Sequence, residues 1–87
     1  MTSIWKFPLS VQNEPVAVEM PRAADVFHVA GQGGSPCLWA VVDTEAPKET
    51  RRFLTIGTGW ELPDEHGYYL GTAHCGALVW HVFEAFV

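Results

Sequence analysis

The sequence predicts an all-β domain, a small antiparallel β-sandwich or partly open barrel of about seven short strands with at most one short helix. β-Branched and aromatic residues recur in short runs with period-two alternation along the whole chain. Gly, Pro and Asp clusters break these runs about every 8–12 residues, the cadence of antiparallel sheets rather than of βαβ units. No window of roughly 11 residues carries a clean helical apolar stripe.

Ile4-Trp5-Lys6-Phe7 is the first predicted strand, stopped by Pro8, which has no N–H to give a ladder. Val16-Ala17-Val18-Glu19 is the second, between Pro15 and Pro21. Asp25-Val26-Phe27-His28-Val29-Ala30 is the third, closed by Gly31-Gln32-Gly33-Gly34, where glycine supplies positive φ without steric cost. Residues 37–43 (CLWAVVD) are apolar at nearly every position and read as a buried fourth strand, joined to the third by a β-hairpin. Thr44-Glu45-Ala46-Pro47-Lys48-Glu49 is a polar connection with room for a short helical turn.

Residues 51–57 (RRFLTIG) form the fifth strand. A loop bracketed by Gly57-Thr58-Gly59 and Pro63-Asp64-Glu65-His66-Gly67 carries Trp60 and Leu62. Tyr68-Tyr69-Leu70-Gly71-Thr72-Ala73 is the sixth strand and residues 77–83 (ALVWHVF) the seventh, joined through His74-Cys75-Gly76. Alternation divides the last strand into Leu78, Trp80 and Val82 on one face and Ala77, Val79, His81 and Phe83 on the other. Both faces are largely apolar, so this strand is central or covered by a partner chain, and a homodimer through a strand face or edge is expected.

The 87 residues allow one domain, 1–87. Size scaling gives a folded surface of roughly 5,100 Å², enough burial for an independent core. Hydrophobic residues make up 48% and charged residues 17%, against about 25% charged in typical domains, which excludes a disordered chain. Net charge is −5, and residues 53–87 contain no Lys or Arg at all. The clustered cations Lys48, Arg51 and Arg52 are too few for a phosphate-backbone footprint, so direct nucleic-acid binding is disfavoured and a basic protein partner is favoured. After Met1 there is no leader-like apolar stretch of about 7–15 residues and no run of the roughly 20 that a span needs. The expectation is a cytoplasmic protein, with Cys37 and Cys75 as thiols.

Gly31-Gln32-Gly33-Gly34 lacks the Gly-Lys-Ser/Thr of a phosphate loop. His28, His66, His74, His81, Cys37 and Cys75 do not show the paired spacing of a zinc site, and His74 and Cys75, being adjacent, point to opposite faces of a strand. Neither cysteine has a cation within ten residues in sequence to lower its pKa. Asp64-Glu65 lies in a Pro-initiated turn, where acidic residues are ordinary. No enzyme, metal or cofactor is therefore expected. Trp39 and Trp80 read as core. Trp60, between Gly59 and Glu61, reads as the exposed aromatic, and with Glu61, Asp64 and Glu65 it has the composition of an interface anchor with an acidic rim. Cys75, beside a turn glycine, is the candidate for an intermolecular disulfide.

The segments Ile4-Trp5-Lys6-Phe7-Pro8-Leu9, His28-Val29, Pro36-Cys37-Leu38-Trp39-Ala40-Val41-Val42-Asp43, Ile56-Gly57-Thr58-Gly59 and Gly76-Ala77-Leu78-Val79-Trp80-His81-Val82-Phe83-Glu84 together resemble a family of small phage- and prophage-encoded proteins of unknown function. The resemblance covers nearly the whole chain and brings no catalytic residues to carry over. It implies a phage protein acting in the host cytoplasm, where small acidic proteins serve as anti-CRISPR or other anti-defence inhibitors by protein–protein interaction. The expected function is an inhibitor that binds a basic surface of a CRISPR effector complex. The alternative is an accessory or structural phage protein that binds a virion or replication component.

Overall fold

The structure, a computed structural model, describes residues 1–12 and 14–86; Asn13 and the last residue of the expected domain, Val87, lie outside the described residues. It is all-β, with seven antiparallel strands: β1 (Thr2–Pro8), β2 (Val16–Pro21), β3 (Asp25–Gln32), β4 (Ser35–Asp43), β5 (Lys48–Gly57), β6 (Tyr68–Cys75) and β7 (Leu78–Glu84). They form a three-stranded sheet, β1-β4-β3, and a four-stranded sheet, β2-β5-β7-β6. Alternation sends Leu38, Ala40 and Val42 of β4 inward against Phe53, Trp80 and Val82 of the other sheet, in a core that also takes in Met20, Val29, Ala73 and Cys75. The total accessible surface is 5312 Å², in line with the size expectation.

Several local expectations shift. Pro8 lies inside β1, paired with Cys37, because β1 is an edge strand where a missing N–H leaves no ladder partner unmet. The expected helical turn after β4 is an Asp43-centred turn instead: the Asp43 carboxylate accepts from the Glu45 N–H (3.0 Å) and its carbonyl from the Ala46 N–H (3.1 Å). No helix occurs among the described residues. The β3–β4 hairpin turns on Gly33 and Gly34, both at positive φ, as a two-residue primed turn requires. Trp39 is not core. It shares the outward face of β4 with Val41, and its ring meets that of His28 at 5.6 Å.

The two sheets meet at β3 and β6, each of which carries a register shift, at Phe27 and Leu70 respectively. Such bulges bend a strand and strengthen its twist. The approach is close enough to require glycine: a Cβ on Gly31 would lie 2.3 Å from the His74 carbonyl oxygen, and one on Gly71 would lie 2.9 Å from the Val29 Cβ. Because β3 and β6 stay in separate ladders, the architecture is a sandwich pinched at one corner.

At the other end of the core Arg51 forms a two-pronged ion pair with Glu84 (2.7 and 2.8 Å) and donates to the Ala24 carbonyl (2.6 Å), tying β5, β7 and the turn after β2 together. The hydrogen bond it donates to Glu84 holds the Arg51 guanidinium above its ordinary pKa, against the opposing effect of burial.

Gly31→Ala is expected to lower stability by about 1–3 kcal/mol, since the added methyl runs into the His74 backbone as well as the buried Cys75 sulfur. Urea unfolding measures this, and an unchanged midpoint would show that β3 and β6 do not approach as described.

Candidate functional site

The apolar second face of β7 is covered by the chain itself. Leu54, Ile56 and Phe83 form a small buried cluster on the outward side of the four-stranded sheet. The loop of residues 58–67, between β5 and β6, lies over them. His66 reaches the Phe83 ring edge-on at 5.0 Å, and Tyr69 reaches it from β6 at 5.6 Å. The His66 Nδ1–H donates to the Pro63 carbonyl (2.9 Å), which folds the loop on itself and fixes that ring's tautomer. Gly67, at φ 92, closes the loop where a Cβ would lie 2.0 Å from the Glu84 carbonyl oxygen.

Trp60 begins the loop. A turn places the Gly59 residue at φ 90 and lets the Trp60 N–H donate to the Gly57 carbonyl (3.0 Å), the geometry in which glycine at the third position is required. The indole then lies directly on Gly57, where a Cβ would come within 2.8 Å of its Cε2. It also meets Trp80 edge-on, with centroids 5.4 Å apart and planes at 82°. Trp60 is therefore both anchored on the sheet end and 48% exposed. The expected neighbours Glu61, Asp64 and Glu65 are exposed on the same loop. Among the described residues none of the three is held in an ion pair.

Between the loop and the sheet lies an open cavity of about 220 Å³, with Ile56, Phe83 and Leu62 as apolar walls, Trp60 beside them, and Thr58 and His81 supplying polar groups. His81 is fixed from both sides: its Nε2 is 2.7 Å from the Thr58 hydroxyl and its Nδ1 is 3.1 Å from the Thr72 hydroxyl, which in turn contacts the Tyr69 hydroxyl. In a neutral imidazole one ring nitrogen donates and the other accepts, so the hydroxyl chain then runs in a single sense for either tautomer. In nucleophilic triads the group behind the histidine is a carboxylate that stabilises the imidazolium. Here it is a threonine hydroxyl, so the arrangement supplies an oriented hydrogen-bonding edge.

Thr58, Leu62, Thr72 and His81 are missing from the sequence-level site. Alternation already placed His81 with Phe83, but Gly57-Thr58-Gly59 reads only as a turn until the β5–β7 register is known. Cys75, expected in a turn, is the last residue of β6 and is buried, its sulfur 2.8 Å from where a Gly31 Cβ would stand. A bridge to a second copy through Cys75 requires the β3–β6 corner to open. Cys37 is buried as well.

Gly57→Ala is expected to push the Trp60 indole off the sheet while leaving the fold intact, with a stability loss of about 1 kcal/mol. The near-UV circular dichroism of the Trp60–Trp80 pair should fall while the far-UV spectrum stays the same. An unchanged near-UV spectrum would place Trp60 elsewhere.

No curated protein and no solved structure matches the chain. The family described as a domain of unknown function (DUF7352) matches residues 1–86, which takes in all seven strands and the 58–67 loop. This chain accordingly belongs to the DUF7352 family, a domain of unknown function.

Proposed function

We propose that this chain is a non-enzymatic inhibitor that binds a basic surface on a host protein complex through the 58–67 loop. The observation that carries the reading is the setting of Trp60: half exposed, seated on Gly57 and Trp80, and followed on one loop by three exposed carboxylates. An aromatic held in place before binding loses little side-chain entropy on contact. The carboxylates keep their field, because no Lys or Arg follows residue 52. The resemblance to phage and prophage proteins supplies the context, an anti-CRISPR role in the host cytoplasm, with a CRISPR effector as the complex whose basic surface is blocked. An accessory role on a virion or replication component is the alternative.

The two parts of the loop make separable contributions. Rim charges act mainly on association and are screened over a Debye length of about 8 Å at physiological salt. A desolvated Trp anchor acts on dissociation and is worth roughly 2 kcal/mol or more. Asp64→Lys with Glu65→Lys should therefore slow capture of a CRISPR effector and flatten its salt dependence, while Trp60→Ala should speed release about 30-fold. Surface-plasmon kinetics and phage plating read both. Folded variants that inhibit as well as wild type remove the loop from the interface. A wild type that protects no phage and captures no nuclease component overturns the inhibitor reading in favour of the accessory role.

The homodimer belongs to the same reading, with a change in the surface that supports it. The second face of β7 is occupied by the chain's own loop, whereas the outward face of β1-β4-β3 leaves Ile4 59% exposed and directly opposite exposed Val41. Light scattering at tens of micromolar should give twice the 9.6 kDa chain mass, and Ile4→Glu should return the monomer. A monomeric wild type contradicts the dimer.

A further inference from the structure

We propose that the cavity between Trp60 and His81 receives one arginine side chain of the partner, an inference that rests on the proposed binding of a basic surface. At about 220 Å³ the cavity is smaller than the roughly 300 Å³ at which small-molecule sites begin, and a single long side chain suits it better. Its walls sort by chemistry. Ile56, Phe83 and Leu62 are apolar and match the aliphatic stem that arginine buries while its head stays polar. Trp60 offers an indole to the planar guanidinium, which stacks on aromatic rings. Thr58, which lines the cavity, offers oxygen lone pairs: when its hydroxyl donates to His81 Nε2 at 2.7 Å, it keeps acceptor capacity for an N–H.

Charge completes the match. No carboxylate lines the cavity itself, but Glu61 stands in the chain between the two lining residues Trp60 and Leu62, and Asp64 and Glu65 follow on the same loop. The chain's own cations on β5 do not compete: Lys48, at the start of the strand, lies over the Trp5 ring of the other sheet. Arg51 is committed to Glu84 and the Ala24 carbonyl on the inward side, and Arg52 lies four residues before Ile56 on the strand, about 13 Å away. The same site discriminates against lysine. An ammonium is compact and strongly hydrated, has no planar face for Trp60, and gives up its water reluctantly in an apolar-walled space.

Titration calorimetry with deca-arginine and deca-lysine at matched low salt separates this inference from the reading beneath it. Wild type is expected to bind deca-arginine about five- to tenfold more tightly than deca-lysine, with the Trp60 indole N–H resonance shifting in the arginine titration. Trp60→Ala, and independently Gly57→Ala, should bring the two affinities together. Asp64→Lys with Glu65→Lys should weaken both peptides and preserve their ratio. Equal affinities in wild type, or a ratio that survives Trp60→Ala, overturn the arginine pocket and leave the basic-surface reading standing. Binding of neither peptide overturns both.

Discussion

Strands β5 and β7 are apolar on both faces, and a chain of 87 residues has only two sheets with which to cover them. One face is satisfied by the three-stranded sheet through Phe53, Trp80 and Val82. The other, carrying Leu54, Ile56 and Phe83, would stand in water unless a further element lay over it. The 58–67 loop is that element. It acts as a partial third layer, fastened at one end by the Trp60–Gly57 turn, in the middle by the His66–Pro63 hydrogen bond, and at the other end by the Gly67 approach to β7.

This division of labour explains why the candidate site sits where it does. A loop that covers a sheet must carry apolar side chains on its underside, and Leu62 and His66 serve there, while the Trp60 indole caps the sheet end against Gly57 and Trp80. Its upper side faces water and carries Glu61, Asp64 and Glu65. Covering is incomplete, since ten loop residues cannot tile the whole face, and the remaining gap is the cavity between Trp60 and His81. Structural need and the proposed binding surface are thus built from the same segment. Rigid elements beneath the loop hold its anchor in position, which is the arrangement that gives binding loops both variability and precision of placement.

The strand cadence, the Gly33-Gly34 hairpin and the inward Trp80 were legible from local pattern, because turn chemistry and alternation act over a few residues. The two apolar faces of β7 are legible in the same way, and they require a cover for the second one. What supplies that cover is not set locally. Which strand neighbours β7, and hence that Thr58 meets His81 and that Trp60 meets Trp80, depends on register between segments some twenty residues apart, and alternation alone does not fix pairing. The bulges at Phe27 and Leu70 shift the alternation within β3 and β6, and the tight β3–β6 corner buries Cys75 although its neighbours read as a turn. Trp39 lies outside the core for a simpler reason: its strand is central within its sheet, but that sheet has one open face.

The most direct test of the account is the contribution of the loop to stability. Replacing Leu62 and His66 together by serine removes the side chains that the loop sets against this face, without altering any strand residue or the Trp60–Trp80 contact. If the loop is a covering layer, equilibrium unfolding should show a loss of about 2–4 kcal/mol, from the side-chain area withdrawn and the Leu54, Ile56 and Phe83 surface newly exposed to water. A double variant as stable as wild type would mean that the loop rests on the sheet without covering it, and the link between fold and site drawn here would be contradicted.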